Sequence, residues 1–220
     1  NALCFPYSFS SALDFRLAGL HALGYAHEGR GWLLHRHWPR PLGVHELEVY
    51  WRLGSAFLGQ EAPLPATIGL RLAPAHREQA RALRQRHALA DGYVVACPFA
   101  GGTWSGQDKT WPAFPALVRR LLSAGRQVVV CPGPGEETVA RRDYPGALCL
   151  EGVRLGAYAA LLAEAGVMFS NDTGPGHLAA AVATPLVSVL GPSDPALWRA
   201  WGPTVHIVQG NGGWPSLDDV

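Results

Sequence analysis

Residues 170–178 contain the residue types that bind a phosphate group. They follow an apolar run at 167–169 and lead into the small-residue run Leu-Ala-Ala-Ala-Val-Ala at 178–183. A strand that passes through a glycine-containing turn into a helix presents free backbone N–H groups and the positive end of the helix dipole to an anion. Gly174 and Gly176 would allow a diphosphate to approach the backbone closely. The spacing therefore favours an anion site.

The polar residues of this segment allow two interpretations. In the first, Asp172, Thr173 and His177 belong to the anion site. In the second, Asp172 or Thr173 only caps the helix, and His177 is a first-turn residue bonded to backbone. A G-x-G pattern alone does not decide between them.

A second group of candidate residues lies in the small-residue loop 98–112. Thr103 and Ser105 supply hydroxyls, and Lys109 supplies a compact charge suited to phosphate. Lys109 is the only lysine of the chain, beside seventeen arginines. Pro112 suits the first position of a following helix. The alternative is a surface loop whose lysine is simply solvated.

A third candidate is the loop 132–137, Pro-Gly-Pro-Gly-Glu-Glu. A carboxylate here, such as Glu136, can accept hydrogen bonds from ribose hydroxyls. It can equally be an acidic first turn that complements a helix dipole. Both interpretations stay open at the level of sequence.

The elements that must position these loops alternate regularly from residue 93 onward. Apolar runs predict strands at 93–97, 127–131, 147–150, 167–169 and 185–190. Helical spacing predicts helices at 111–124, 136–142, 155–165, 176–183 and 194–201, the last after Ser193 as N-cap. Continuous apolar strands alternating with helices are typical of βαβ units and a parallel sheet covered on both faces. Residues 71–220 are therefore predicted to be Rossmann-like, with the three loops at one sheet edge.

The first part of the chain lacks this regular alternation of strands and helices. Helices are predicted at 11–20 and 45–58, with a turn and short strand at 26–34 and a boundary at 60–65. This is too little for a self-sufficient domain of the same type. The predicted division is 1–70, the late part of one domain with a linker, and 71–220, a nucleotide-binding domain.

Composition excludes several classes of function. The net charge of +1 argues against a nucleic-acid partner, and the basic run 76–87 is interpreted as a solvated helix face. Apolar runs are too short to span a membrane. Four scattered cysteines suggest buried, reduced thiols and a cytoplasmic protein. The nine histidines lack the spacing of a zinc site, so no metal is predicted.

The motifs together resemble the signature of glycosyltransferase family 9, the ADP-heptose:lipopolysaccharide heptosyltransferases, closest to the heptosyltransferase II type. The resemblance rests on 171–181, 184–195, Lys-Thr-Trp-Pro at 109–112, Gly-Pro-Gly-Glu-Glu at 133–137 and Trp-Gly-Pro at 201–203. Weaker likeness at 6–13 and 24–25 extends it over nearly the whole chain.

The resemblance implies a GT-B fold, α/β in class, with a doubly wound donor domain and a remnant of a second Rossmann-like domain. It implies an inverting reaction without metal or cofactor. Lys109 and the backbone of Thr173 and Gly174 would hold the ADP diphosphate, and Asp172 would lie at the sugar or diphosphate. Glu136 would bind ribose. The implied nucleotide-binding set is Thr103, Ser105, Lys109, Glu136, Asp172, Thr173, Gly174, Gly176 and His177.

Two departures from the family pattern matter. The family begins with a Gly-Asp loop whose aspartate is the proposed general base, and no counterpart precedes Asn1. The chain also stops at Val220, before the family's closing helix. We therefore expect the base to lie outside this chain, Lys109 and Asp172 to play supporting parts, and these residues alone to transfer no sugar.

The main hypothesis is transfer of heptose from an ADP-activated donor to lipopolysaccharide core. The expected partners are ADP-heptose and the core acceptor, with a cytoplasmic location and possible peripheral association with the inner membrane. One alternative is a family member that uses another nucleotide sugar for O-antigen, capsule or protein glycosylation. The other is a nucleotide-binding module without catalysis.

Overall fold

The structure is a computed structural model that describes residues 1–104, 106–191 and 193–220, with only the backbone of Trp104. It divides into two compact units. The first comprises Asn1–Pro65 with Ala196–Trp198, and the second comprises Ala66–Pro195 with Arg199–Val220.

The first unit contains a small parallel sheet with flanking helices. Its elements are β1 (Ala2–Cys4), α1 (Phe9–Leu17), β2 (Ala22–Ala26), a 3-10 helix (Arg30–Leu33), β3 (Arg36–Pro39) and α2 (Glu46–Leu58). The strand order is β1-β2-β3. The turn predicted within 26–34 is present at 28–29, but the short strand predicted there is wrong, because the 3-10 helix follows the turn and the strands lie before and after this segment. The sequence gives no strand signal at β3, because this edge strand is largely exposed and is not an apolar run.

Arg30 is fully buried in the first unit and holds a loop together. Its guanidinium donates to the carbonyl oxygens of Pro6 at 2.5 Å, Ser8 at 2.9 Å and Tyr25 at 3.0 Å. A buried charge is tolerated only when such partners replace water. Arg30 therefore links the loop after β1 to the end of β2.

The second unit contains a six-stranded parallel sheet. Its elements are α3 (Pro74–Arg86), β4 (Val94–Cys97), β5 (Thr103–Trp104), β6 (Gln107–Asp108), α4 (Phe114–Ser123), β7 (Val128–Val130), α5 (Glu137–Asp143), β8 (Leu148–Cys149), α6 (Leu155–Glu164), β9 (Val167–Asn171), α7 (Gly174–Ala181), β10 (Leu186–Leu190) and β11 (Val205–Gln209). A short helix, α8 (Pro195–Trp198), lies between the last two strands in sequence.

The strand order is β11-β10-β9-β4-β7-β8, and all pairs in this sheet are parallel. Numbered from β4, this is the 3-2-1-4-5-6 order of a doubly wound Rossmann sheet. The predicted α/β class is confirmed.

The continuous apolar strands are explained by burial on both faces. Val95 and Cys97 of β4 pack in a cluster with residues of α3, α6 and α7. Val94 and Ala96 pack on the opposite face with residues of α4 and α5. Successive residues of a strand point to opposite faces, so a strand covered on both sides must be apolar throughout.

Three details differ from the sequence-based expectations. The loop 98–112 contains the antiparallel hairpin β5–β6, β11 was not predicted, and the last helix spans Pro195–Trp198 instead of 194–201.

The basic run 76–87, which lies largely on α3, is not simply a solvated helix face. Arg84 of α3 is mostly buried, pairs with Glu164 at 2.7 Å and lies over the Tyr93 ring.

Within the described ranges, every helix falls short of the length and apolarity needed to cross a lipid bilayer.

Candidate functional site

The candidate site lies where the strand order of the large sheet reverses. β4 and β9 are neighbours, and the chain continues from them toward opposite edges of the sheet. Loops that leave such a pair of strands diverge and open a crevice at their carboxyl ends, which is where ligands bind in sheets of this type.

Asn171, the last residue of β9, ties the two loops together across this crevice. Its side chain is fully buried. Its amide nitrogen donates to the carbonyl oxygen of Pro98 at 2.6 Å, and its amide oxygen accepts from the backbone N–H of Trp111 at 3.0 Å. One side chain thus holds both ends of the loop that follows β4.

Trp111 anchors the far end of this loop. Its ring is almost fully buried and packs edge-on against Phe114, with ring centroids 5.9 Å apart. Its indole N–H donates to the carbonyl oxygen of Pro215 at 3.0 Å. The anchored tryptophan fixes the backbone two residues after Lys109.

Lys109 and Asp172 form the charged centre of the site. The ammonium nitrogen of Lys109 lies 3.7 Å from Oδ2 of Asp172, and both side chains are mostly buried. The hydroxyl of Ser193 donates to the same carboxylate oxygen at 2.5 Å. Nε2 of His177 lies 4.0 Å from Oδ1. The carboxylate is therefore surrounded by three side chains from different parts of the sequence.

This arrangement bears on the capping interpretation of Asp172. The N-cap of α7 is Thr173, whose side chain makes no capping hydrogen bond. The Asp172 carboxylate contacts Lys109, Ser193 and His177. The positive end of α7 thus begins directly after a carboxylate that pairs with a lysine, and its own N-cap side chain leaves the first N–H groups uncapped.

A cavity of about 310 Å³ lies beside the charged centre. Its walls include Phe99, Gly133, Glu136, Tyr158, Thr173 and Pro175. Oε2 of Glu136 accepts from the backbone N–H of Gly133 at 2.7 Å. The carboxylate in the first turn of α5 is that of Glu137, which accepts from the Gly135 N–H at 2.8 Å.

A second, wider cavity of about 750 Å³ lies at the carboxyl ends of β10 and β11. Amides, a carboxylate and an indole line it, from Gln107, Asp108, Gln209, Asn211 and Trp214. Gln209 donates to the carbonyl oxygens of Gly191 at 2.9 Å and Ser193 at 3.0 Å, so this wall is linked to the loop that contacts Asp172.

Comparison with known proteins identifies the family. The model of glycosyltransferase family 9 (heptosyltransferase) matches residues 1–218. The chain belongs to this family.

Curated relatives include heptosyltransferases of more than one type. The chain is 34% identical over 129 residues to lipopolysaccharide heptosyltransferase 3 of Escherichia coli K12, covering 55% of this chain and 36% of that protein. It is 28% identical over 215 residues to lipopolysaccharide heptosyltransferase 2 of the same strain, covering 89% of this chain and 60% of that protein. It thus spans less than two thirds of each.

Solved structures agree on the fold. ADP-heptose lipopolysaccharide heptosyltransferase II of E. coli superposes with a TM-score of 0.73 at 23% identity, over 94% of this chain and 67% of the other. E. coli heptosyltransferase WaaC with ADP superposes with a TM-score of 0.70 at 24% identity, over 93% of this chain and 64% of the other. Both are GT-B structures, which confirms the predicted fold.

In this member of glycosyltransferase family 9, the sequence-predicted residues fall into three groups. Lys109, Asp172 and His177 come together in the charged centre. Glu136 and Thr173 line the adjoining cavity. Thr103 is exposed on the hairpin opposite Asp108 and is not among the residues lining this cavity.

The two glycines and Ser105 need separate comment. A Cβ on Gly176 would lie 3.0 Å from the Ser170 hydroxyl, so this glycine allows α7 to pack closely on the end of β9. A Cβ on Gly174 would meet nothing within 4 Å, so its surroundings are open. Ser105 lies outside the described residues. The ligand-binding roles of the whole set stay predictions.

Sequence reasoning missed three contributors to the site. Ser193 was predicted to cap the following helix, but its hydroxyl donates to Asp172. The bridging role of Asn171 was not predicted, although a polar residue ending an apolar strand is a usable signal. Tyr158 was predicted only as part of the helix at 155–165, and it lines the cavity.

The thiols near the site are unreactive in character. All four cysteines are free. Burial raises the pKa of the Cys97 thiol to about 12 and also raises that of Cys131. Such thiols stay protonated at neutral pH, as expected of buried apolar side chains. Over the part of the chain that the structure describes, no three metal-binding side chains cluster together.

Proposed function

We propose that this chain binds an ADP-activated heptose and takes part in its transfer to lipopolysaccharide core. The observation that carries the proposal is Lys109 held beside Asp172 at the carboxyl end of β9, next to the uncapped start of α7. A cation and a helix N-terminus at the switch point of a Rossmann sheet form a site for a diphosphate. The related WaaC structure contains ADP.

The chemistry follows from where charge would develop. When the acceptor hydroxyl attacks the anomeric carbon, its proton passes to a general base, the bond to the diphosphate breaks and negative charge grows on the leaving phosphate. Lys109 and the N-terminus of α7 stabilise that charge, and preorganised electrostatics of this kind is usually the largest catalytic contribution. Attack opposite the leaving group inverts the anomeric configuration. In this scheme the lysine supplies the positive charge that other enzymes take from a metal ion.

Ser193 and Asp172 would keep the lysine in place. A flexible lysine side chain loses considerable conformational entropy when it is fixed. In this site the Asp172 carboxylate, itself held by the Ser193 hydroxyl at 2.5 Å, already attracts the ammonium group. The diphosphate would then meet a cation that is preorganised. Asp172 would also lie within reach of the sugar.

The 310 Å³ cavity is proposed to hold the nucleoside. Phe99 and Pro175 offer apolar surface for a base, and Glu136 offers a carboxylate for the ribose hydroxyls. The backbone at Gly133 can approach the Glu136 carboxylate closely because glycine has no side chain. A Cβ there would lie 3.2 Å from Glu136 Oε2.

The acceptor, location and division of labour are also proposals. We infer that the first unit belongs to the acceptor-binding side, that lipopolysaccharide core is the acceptor, and that the protein acts in the cytoplasm at the inner face of the inner membrane. These inferences rest on family membership.

Calorimetric titration with ADP, UDP and GDP tests the nucleotide part. We expect ADP to bind most tightly. A preference for UDP or GDP would replace the donor with another nucleotide sugar. A turnover assay of the full-length protein with ADP-heptose and a truncated core acceptor tests the reaction. Tight ADP binding without turnover in the presence of the acceptor would favour a nucleotide-binding module.

A further inference from the structure

Tyr158 has a buried hydroxyl with no strong hydrogen-bond partner. The side chain, on α6, is only 6% exposed and lines the 310 Å³ cavity. Within the described part of the chain, no nitrogen or oxygen is hydrogen-bonded to its Oη, and its side-chain interaction is with the thiol of Cys97, which is only a weak hydrogen-bonding group. Buried hydroxyls are normally satisfied, and each exception calls for a physical explanation.

Two other buried tyrosines show the usual arrangement. The hydroxyl of Tyr25 donates to the carbonyl oxygen of Val49 at 2.8 Å, and that of Tyr93 donates to the carbonyl oxygen of Leu161. Tyr93 belongs to the same apolar cluster as Tyr158. Tyr158 differs from Tyr93 in lining the cavity and in lacking a backbone carbonyl partner for its hydroxyl.

The groups around Tyr158 are arranged for a ligand that carries hydroxyls. Burial raises the pKa of Tyr158 well above its ordinary value, and the thiols of Cys97 and Cys131 and the Glu136 carboxylate add to the rise. The phenol is therefore protonated and able to donate. Oε2 of Glu136 accepts from Gly133, and its other oxygen has no hydrogen-bond partner among the residues that the structure describes.

We propose that Tyr158 is a specificity-determining residue that donates a hydrogen bond to one ribose hydroxyl of the bound nucleoside diphosphate, while Glu136 accepts from the neighbouring hydroxyl. This inference rests on the proposed nucleotide site. The ribose carries two neighbouring hydroxyls, and each can both donate and accept a hydrogen bond. One can therefore accept from the Tyr158 phenol while the other donates to the Glu136 carboxylate, which can only accept. The contact is independent of the base.

The test combines a protein change with a ligand change. Tyr158→Phe and the unmodified protein are titrated by calorimetry with ADP, 2′-deoxy-ADP and 3′-deoxy-ADP. We expect Tyr158→Phe to weaken ADP binding by about 2- to 13-fold, the range for one neutral hydrogen bond. The deoxy analogue that lacks the contacted hydroxyl should bind both proteins with nearly equal affinity. Equal weakening for all three ligands, or no weakening, would overturn the inference.

Melting temperatures supply a readout that distinguishes ligand binding from packing. Tyr158→Phe removes a buried hydroxyl that has only a weak thiol partner, so the ligand-free protein should melt at the same or a higher temperature. Tyr93→Phe is the matched control: it should lower the melting temperature and leave ADP affinity unchanged. A clear fall in the melting temperature of Tyr158→Phe would overturn the inference, since it would show that the hydroxyl is already satisfied.

The outcomes separate this inference from the proposed function. If the unmodified protein binds ADP but shows no coupling between Tyr158 and the ribose hydroxyls, only the role of Tyr158 fails. If the unmodified protein binds none of ADP, UDP and GDP, the proposed nucleotide site fails, and the role of Tyr158 fails with it.

Discussion

Replacing Lys109 with alanine should weaken ADP binding strongly while lowering the stability of the protein only slightly. The ammonium group lies 3.7 Å from Asp172, and the two side chains are 20% and 14% exposed. A partly exposed ion pair at this distance contributes about 0–1 kcal/mol to folding. Asp172 also keeps its hydrogen bond from Ser193 when the lysine is removed. The expected loss of stability is therefore at most about 1 kcal/mol, or a fall of roughly 4 °C in melting temperature at most.

The expected effect on the ligand is larger. A charge-assisted hydrogen bond to phosphate is worth about 1.5–3 kcal/mol, which corresponds to a loss of ADP affinity of about 10- to 150-fold. Lys109→Arg should restore only part of it, because a planar guanidinium does not replace a compact ammonium group. Calorimetry with ADP measures the affinities, and a thermal melt of each variant measures stability.

Arg120→Ala provides the matched control. It removes one positive charge from the same unit, at an exposed ion pair with Asp218 whose N–O distance is 2.9 Å. If the effect of Lys109 were only one of net charge, both variants would weaken ADP binding equally. Unchanged ADP affinity in Lys109→Ala, or equal losses in the two variants, would refute the assignment of Lys109 to the diphosphate.

Three further substitutions test the surroundings of the site and the first unit. Asp172→Asn should keep the melting temperature, because the amide oxygen can still accept a hydrogen bond, but should abolish transfer from ADP-heptose by the full-length protein; full transfer activity would show that the charge is dispensable. Asn171→Leu leaves the Pro98 carbonyl and the Trp111 N–H without their partner, and should cost about 2–6 kcal/mol in urea unfolding at about 1–3 kcal/mol per group. A loss below about 0.5 kcal/mol would contradict the bridging role. Arg30→Met removes the donor shared by three carbonyl oxygens and should lower the free energy of unfolding by about 3 kcal/mol or more. A urea transition unchanged by the substitution would argue against this stabilising role of Arg30.

The amino-acid sequence by itself determined the class of the second unit and the location of its loops. Uninterrupted apolar runs such as 127–131 and 185–190 indicate strands buried on both faces, and helical spacing between them indicates crossovers. These signals are local, because periodicity depends only on residues near one another in the chain. They were enough to predict a parallel sheet with the loops of Lys109, Glu136 and Thr173 at one edge.

Local signals were weaker where an element is short or exposed. β3 and β11 were not recognised, because an exposed strand lacks the apolar run that marks a buried one. The hairpin β5–β6 has two residues in each strand, too few for any periodicity. In the first unit, the burial of Arg30 depends on carbonyl groups that come from both sides of α1.

Only the tertiary structure decided which loops meet. Strand order is a matter of non-local hydrogen bonding, and it places β9 beside β4 although the bonded residues Asn171 and Pro98 lie 73 positions apart in the sequence. That neighbourhood allows Asn171 to bridge the loop that contains Lys109, and the pairing of β10 with β9 brings Ser193 to Asp172. Helical spacing places Tyr158 in a helix, but whether its hydroxyl has a partner depends on atoms contributed by other elements. The physical reason is the same in each case: hydrogen bonds and ion pairs of a site join residues that are distant in sequence, and residue patterns report only on near neighbours.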